Sequence, residues 1–400
     1  QRPGRQCAPV NNPSPPPSSR LPRMAFTLVA AAGCAAPSRH SPATGRRSIT
    51  AAVPAASSRL AGRPRRAGAA RRAAHPSCLL AASSMAKQCA PIPPPEHPTF
   101  DLVGLIWRAL EEDAGGVGDV TSLSTIPKET QAEATFLAKA DGVLAGLAVA
   151  EMVFEQVDPR ITVEWSSSDG QRVAKGQRFG VVRGPAQGVL IAERVALNFM
   201  QRMGGIATAT AAMVAETEGF PAKVLETRKT VPGLRMLDKW AVLIGGGQNH
   251  RMGLYDMIMI KDNHVAAAGG ITAAVERAQA YLQERGMSMG IEVETRTLEE
   301  VAEVVGILDA QAAEGVANPV TRVMLDNMTR LDAAAEGGID VSMMQQAVEL
   351  LGGRVETEGS GNVTLSTAKR IASTGVTFIS VGALTHSVQA LDISFNIETQ

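Results

Sequence analysis

Six positions in the C-terminal half combine chemistry with rhythm. Arg228, Lys261, Glu294, Asp326, Glu358 and Gly382 each close a short apolar run, at intervals of 33, 33, 32, 32 and 24 residues. One charged residue after an apolar run is ordinary loop chemistry. Five in series, with both signs represented, describe a shared polar pocket at one end of a sheet. The cations are Arg228, Lys229, Arg251 and Lys261, with His250 beside them; the anions are Glu294, Asp326 and Glu358. Arg forks bind carboxylates and phosphates bidentately, and Lys serves as a compact phosphate charge. Carboxylates without Cys suit a hard cation such as Mg²⁺, usually held together with substrate phosphates. The pocket therefore asks for an anionic, phosphorylated substrate and Mg²⁺. A Schiff base on Lys261, as in an aldolase, is the competing chemistry, but the accompanying carboxylates favour phosphate binding. His264 reads equally well as a catalytic or a buried hydrogen-bonded residue. His386 reads as structural. Arg194 beside Glu193 has the ordinary reading of a surface helix ion pair.

The elements that position these residues follow from the same rhythm. The apolar runs are Lys223–Glu226, Met257–Ile260, Ile291–Val293, Val323–Leu325, Val355–Thr357 and Phe378–Val381, with helical segments between them. Strands alternating with helices predict βαβ units and a parallel sheet, and near-continuous apolar strands predict a sheet covered on both faces. Six strands are too few for a full barrel. Either a further strand hides in the helix-like stretch 189–216 or the barrel is incomplete. Gly359-Ser360-Gly361-Asn362 precedes a helix over Leu365 to Thr374, and Gly382-Ala383 follows the next strand. Both suit phosphate binding by backbone N–H groups. Gly245-Gly246-Gly247 reads as a helix stop or a close backbone approach, without nucleotide-cofactor spacing. Upstream, Leu102, Leu105, Ile106 and Leu110 predict a helix, 115–122 a turn-rich stretch, and 132–188 an antiparallel sheet with turns at Asp169-Gly170.

Composition divides the chain further. Lys+Arg and Asp+Glu are equal at 39 each, yet residues 1–84 hold 13 Arg, no Lys and no acid. The remainder carries 39 − 13 = 26 basic against 39 acidic residues, so a +13 segment precedes a −13 body. All four Cys lie before residue 90, which excludes a disulfide scaffold, a zinc ribbon or a thiol enzyme in the body. The acidic body argues against nucleic-acid binding. The longest apolar run, Ala25 to Ala36, has 12 residues and falls short of the roughly 20 a membrane helix needs. An Arg- and Ser-rich, acid-free stretch over 1–95 predicts disorder and an organellar transit peptide, plastid rather than mitochondrion. Met24 is then a natural start, and the mature protein begins near Met85. A basic tail touching nucleic acid or membrane is the alternative.

Taken in order, Thr227-Arg228-Lys229-Thr230, Gly245-Gly246-Gly247 with Asn249-His250-Arg251, Ile260-Lys261-Asp262-Asn263-His264, Glu292-Val293-Glu294, Leu325-Asp326-Asn327 and Val381-Gly382-Ala383-Leu384-Thr385-His386-Ser387 resemble the quinolinate phosphoribosyltransferase family. Gly118-Asp119-Val120-Thr121 and Glu193-Arg194 match its N-terminal half, and the resemblance covers about residues 100–393. Gln248 departs from the basic residue common at its position. The resemblance implies an α/β fold with an incomplete, TIM-like barrel of six or seven strands over 194–387. A small α/β sandwich domain over 96–193 accompanies it, to which a tail over 388–400 returns. It implies transfer of phosphoribosyl from phosphoribosyl pyrophosphate to quinolinate with loss of CO₂, with Mg²⁺ near Glu294 and Asp326. It also implies a homodimer whose partner contributes Arg194. On this resemblance Lys229, Lys261, Glu294 and Asp326 are catalytic. Arg228, His250 and Arg251 clamp quinolinate; Ser360, Gly361, Gly382 and Ala383 hold the 5′-phosphate; Thr227, Asn362 and Val381 complete the substrate-binding set. A nicotinate-specific transferase needs fewer Arg contacts, and a non-catalytic relative would lack the acidic pair.

Overall fold

The computed structural model describes residues 91–315, 318 and 320–399. The expected transit-peptide segment up to residue 90, with the start near Met85, lies outside the described residues; the last part of the stretch expected to be disordered does not, because the Ile92 carbonyl accepts from Trp240 Nε1 at 2.8 Å.

The N-terminal strands are β1 (Gln131–Ala138), β2 (Gly142–Val143), β3 (Thr162–Trp165), β4 (Arg172–Val173) and β5 (Arg178–Pro185). The C-terminal half adds β6 (Lys223–Leu225), β7 (Ile258–Ile260), β8 (Ile291–Thr295), β9 (Val320–Asp326), β10 (Arg330–Leu331), β11 (Ile339–Asp340), β12 (Glu356–Ser360), β13 (Phe378–Ser380) and β14 (Ile393–Thr399). Helices α1 (Leu102–Ala114), α2 (Val120–Thr125), α3 (Leu147–Val157) and α4 (Ala186–Glu216) belong to the first part. They are followed by α5 (Arg235–Ile244), α6 (Asp262–Ala268), α7 (Ile271–Arg285), α8 (Leu298–Glu314), α9 (Ser342–Leu351), α10 (Leu365–Ala372) and α11 (Ala383–His386).

The predicted first helix is α1, started by the Asp101 carboxylate, which accepts from the Gly104 N–H at 2.9 Å. The turn-rich stretch is more ordered than its composition indicated. Asp119 caps α2 by accepting from the N–H groups of Thr121 and Ser122, so Gly118-Asp119 is a helix start. The antiparallel sheet runs β14-β1-β5-β3, with alternate residues of β1 buried. The returning tail is its edge strand, pairing Ala132 with Thr399 through Ala138 with Ile393. Phe395 of that tail lies 4.7 Å, centroid to centroid, from Phe136, which is fully buried and also stacks on Phe179 at 5.6 Å. Phe395 is itself partly buried there, and this packing helps fasten the tail across more than 250 residues of chain.

The long helix starts three residues earlier than expected and continues as one 31-residue element past the anticipated boundary at 193/194. The stretch 189–216 holds no strand. The second sheet has six parallel strands in the order β6-β13-β12-β9-β8-β7. Its two outer strands do not pair with each other. Gln248 instead forms an isolated parallel bridge to Leu225, so the vestige of a further strand sits between α5 and β7. Both readings of the triglycine hold. Gly245 caps α5, and Cβ atoms on Gly245 and Gly247 would press on Thr210 of α4 at 2.6 and 2.9 Å. Among the described residues, no helix is long and apolar enough to cross a membrane.

Candidate active site

Parallel register brings the C-terminal ends of all six strands to one mouth. Side-chain contacts then chain them together. Lys261, just past β7, pairs its Nζ with Glu294 of β8. Arg296 reaches Asp262 at 2.8 Å, Glu294 at 3.3 Å and Asp326 of β9 at 3.3 Å. Asp326 also accepts from the Ser360 hydroxyl at 3.1 Å and from Asn327 Nδ2 at 2.8 Å. On the other side, the Thr385 hydroxyl donates to the Lys229 carbonyl at 2.9 Å, joining the segment after β13 to that after β6. The predicted sets Lys229, Lys261, Glu294, Asp326, Ser360 and Gly382 therefore share one mouth.

The phosphate-side loops have the expected form. Gly361 and Asn362 have φ of +91° and +55°, which turns the chain sharply between β12 and the α10 N-terminus. Asn362 donates weakly to Thr329 at 3.4 Å, and Gly382 lies against Lys229 and His386. Thr227 accepts the Lys229 N–H at 3.1 Å, which shapes the loop rather than aiming the hydroxyl outward.

Two guanidiniums lie together with an open donor. The Arg251 pKa is pulled below its ordinary value, first by burial and then by the charge of Arg228; Glu292 and Asp256 offset part of this. Arg228 Nε is buried without a hydrogen-bond partner. Mutually repelling cations with an unfilled donor are prepared for an anion carrying more than one charge.

Below the mouth lies a second polar layer. His250 is buried, with Nε2 at 3.0 Å from Glu292 and 3.2 Å from Glu358. Arg322 reaches Glu358 at 3.3 Å and stacks over Phe378. Burial opposes charge on His250, but the two carboxylates outweigh it and push the imidazole up to about 9. The Arg251 N–H at 2.6 Å from Nδ1 favours the neutral ring, but two carboxylates against one amide decide for the cation. Glu292 is raised by burial and by Glu358, whereas Glu358 is lowered by His250 and Arg322 against its own burial. Glu358 thus departs from its expected place among the mouth anions. β12 runs on to Ser360, and Glu358 is sealed inside. His250 likewise turns Nε2 inward and engages Nδ1 with the Arg251 N–H, leaving neither ring nitrogen for the mouth.

Arg194 is not brought to this mouth by its own chain. It is half-exposed on α4, 3.8 Å from Glu193. Arg202, eight residues and thus about 12 Å further along that helix, does reach the mouth, pairing with buried Asp238 at 2.8 Å and the Thr385 carbonyl at 3.1 Å. His264 accepts the Lys261 N–H at 2.9 Å and caps α6. His386 contacts the Ser387 hydroxyl at 2.7 Å. Sequence reading missed Arg296, Glu226, Lys239 and the depth of Glu292. For Glu292 a signal existed: two residues before Glu294 on one strand, it must face the same interior.

An incomplete parallel barrel with Arg, Lys and paired carboxylates at its mouth defines an α/β-barrel enzyme for polyanionic substrates. Comparison with known proteins makes this specific. Residues 119–204 match the model of the quinolinate phosphoribosyl transferase N-terminal domain, and residues 206–396 that of its C-terminal domain. The chain is 58% identical over 309 residues to a nicotinate-nucleotide pyrophosphorylase [carboxylating], chloroplastic, of Arabidopsis thaliana, covering 77% of this chain and 86% of that protein. It is 56% identical, with the same coverage, to a quinolinate phosphoribosyltransferase [decarboxylating] 2a, mitochondrial, of Nicotiana tabacum. The crystal structure of NadC from Streptococcus pyogenes superposes with a TM-score of 0.65 at 35% identity, covering 74% of this chain and 97% of that one. The chain belongs to the quinolinate phosphoribosyltransferase family.

Proposed function

We propose that the mouth binds quinolinate on its Arg228–Arg251 side and phosphoribosyl pyrophosphate over Lys229, Lys261 and the loops after β12 and β13. The chain transfers phosphoribosyl to quinolinate with decarboxylation, giving nicotinate mononucleotide, pyrophosphate and CO₂, a step of NAD biosynthesis. The observation that carries the assignment of sides is the Arg228–Arg251 pair with its unfilled buried donor, set beside the Lys261–Glu294 ion pair.

The pyridine nitrogen forms a bond to the ribose anomeric carbon as the bond to the pyrophosphate oxygen breaks, its electron pair leaving with pyrophosphate. The ring is then a pyridinium. It accepts the pair left when the adjacent carboxylate departs as CO₂, and a proton from water takes its place. Arg228 and Arg251 hold the two carboxylates, with His250 as a buried positive charge beneath them. Holding two reactants in line is worth roughly 7–11 kcal/mol of barrier. Glu294 and Asp326 favour positive charge growing on the ribose and accept from its hydroxyls. Lys229 and Lys261 balance the phosphates, while backbone N–H groups at Ser360, Gly361, Gly382 and Ala383 receive the 5′-phosphate, with Asn362 and Val381 shaping that seat.

Mg²⁺ fits by donor chemistry: Glu294 and Asp326 offer hard oxygens on adjacent strands, both within reach of the single Arg296 guanidinium. Its chemistry there is to shield the leaving pyrophosphate. A homodimer in which Arg194 completes the neighbour's clamp is supported by the half-exposed Arg194 and by exposed apolar Val117, Val120 and Leu254, at 75%, 60% and 74%. The Arg-rich, acid-free N-terminal composition supports import into plastids.

Incubation with quinolinate, phosphoribosyl pyrophosphate and Mg²⁺ yields nicotinate mononucleotide and one CO₂ per turnover. Equal turnover of nicotinate would refute the two-carboxylate clamp.

A further inference from the structure

Behind the mouth, one ion pair grips the loop that carries the acceptor clamp. Glu226 is the first residue beyond β6 and Lys239 lies within α5; both side chains are completely buried. Lys239 Nζ pairs with Glu226 Oε1 and donates to the His250 carbonyl at 3.0 Å. Glu226 Oε1 also accepts the His250 N–H at 3.0 Å, and Oε2 accepts from Asn249 Nδ2 at 3.0 Å. That Nδ2 donates in turn to the Lys239 carbonyl at 2.9 Å. His250 is therefore held at its N–H and its carbonyl by the two halves of one ion pair. Arg251 follows it directly, and Arg228 stands two residues past Glu226.

Stability alone does not account for this arrangement. A buried ion pair loses so much hydration that apolar replacements are often neutral or better. Burial draws the Lys239 ammonium down to about 7, with the Asp256 charge opposing that fall and the Arg251 charge adding to it, so keeping an ammonium here is costly. What the pair does accomplish is geometric. It ties the β6 end, with Arg228, to the 249–251 loop, with Arg251, although the two guanidiniums repel each other. Two adjacent carboxylates need two cations at one fixed separation, whereas a single carboxylate does not.

We infer that Glu226 and Lys239 are positioning residues that fix the Arg228–Arg251 spacing and so make the acceptor site selective for a vicinal dicarboxylate. The inference rests on assigning Arg228 and Arg251 to the acceptor carboxylates.

The test is the double variant Glu226→Gln/Lys239→Met, which leaves no unpaired buried charge, beside Asn249→Ala, which removes one strut. Quinolinate and nicotinate binding are measured by calorimetry, and KM for each substrate is taken separately. The double variant is expected to bind quinolinate at least tenfold more weakly. Nicotinate affinity and KM for phosphoribosyl pyrophosphate change less than twofold. Asn249→Ala shows a smaller loss with the same selectivity. Unchanged quinolinate affinity in the folded double variant, or equal loss for both substrates, overturns the inference. If the double variant does not fold, unchanged quinolinate affinity in Asn249→Ala does so. Arg251→Ala serves as reference: if it keeps quinolinate affinity, the clamp assignment beneath the inference fails instead.

Discussion

Gly361→Ala tests the phosphate-side loop, and the structure supplies both the magnitude and the control. Gly361 has φ +91°, where a Cβ costs roughly 1–2 kcal/mol. That Cβ would also lie 2.8 Å from Asn327 Cγ and 3.1 Å from Asn327 Cα, and backbone cannot yield cheaply. Overpacking of this kind adds roughly 1–3 kcal/mol. Asn327 holds Asp326 at 2.8 Å, so the displacement passes directly to the carboxylate proposed to receive the ribose hydroxyls. Loss of one charge-assisted hydrogen bond, about 1.5–3 kcal/mol, corresponds to about 10- to 150-fold in kcat/KM for phosphoribosyl pyrophosphate. Gly375 is the control. Its φ is +87°, but a Cβ there meets only Val348, at 3.8 Å. Gly375→Ala should therefore lose roughly 1–2 kcal/mol of stability and keep its kinetics. Steady-state kinetics with each substrate varied, together with thermal melts, separate the two effects. A Gly361→Ala enzyme with normal KM and kcat for phosphoribosyl pyrophosphate would show that the β12 loop is not a substrate loop.

Three further outcomes follow from the site and its surroundings. Arg251→Ala and Lys261→Ala each lower kcat/KM about 100-fold or more through lost charge-assisted bonds, without loss of fold by circular dichroism; near-normal activity in either removes its assigned role. Mixing Arg194→Ala with Lys261→Ala protein restores part of the activity, because one of the two shared sites in the heterodimer is then intact; no recovery argues for a site built from one chain. Asp169, whose carboxylate accepts the Leu147 N–H at 3.1 Å, is pushed by burial up to about 6 from 3.8. The folded state then binds more protons between about pH 4 and 6, so stability falls as pH rises through that window and is level above it. That rise, discounted by half for partial exposure, makes Asp169→Asn about 1–1.5 kcal/mol more stable at pH 7, an advantage absent below about pH 4 in urea titrations. An equal effect at both pH values refutes the burial argument.

What the chain fixes locally was readable from it. The repeat of about 32 residues, the polar residue after each apolar run, the triglycine stop and the helix beyond Gly361 all depend on short-range chemistry, and each stands in the fold. The order of the motifs also sufficed to place the family, because their spacing is covalent. Depth within the barrel was not readable. Glu294 and Glu358 both lie level with Met324 in the strand register. Yet Glu294 meets Lys261 and Arg296 at the mouth, while Glu358 meets His250 and Arg322 inside. Barrel strands are tilted and staggered, so equal register does not mean equal depth. The same holds for the Glu226–Lys239 pair, 13 residues apart in sequence and joined only by the tertiary placement of α5 beside the β6 end. Residue types announced an anionic substrate; the packing of the incomplete barrel decided which charges face it and which hold the others in place.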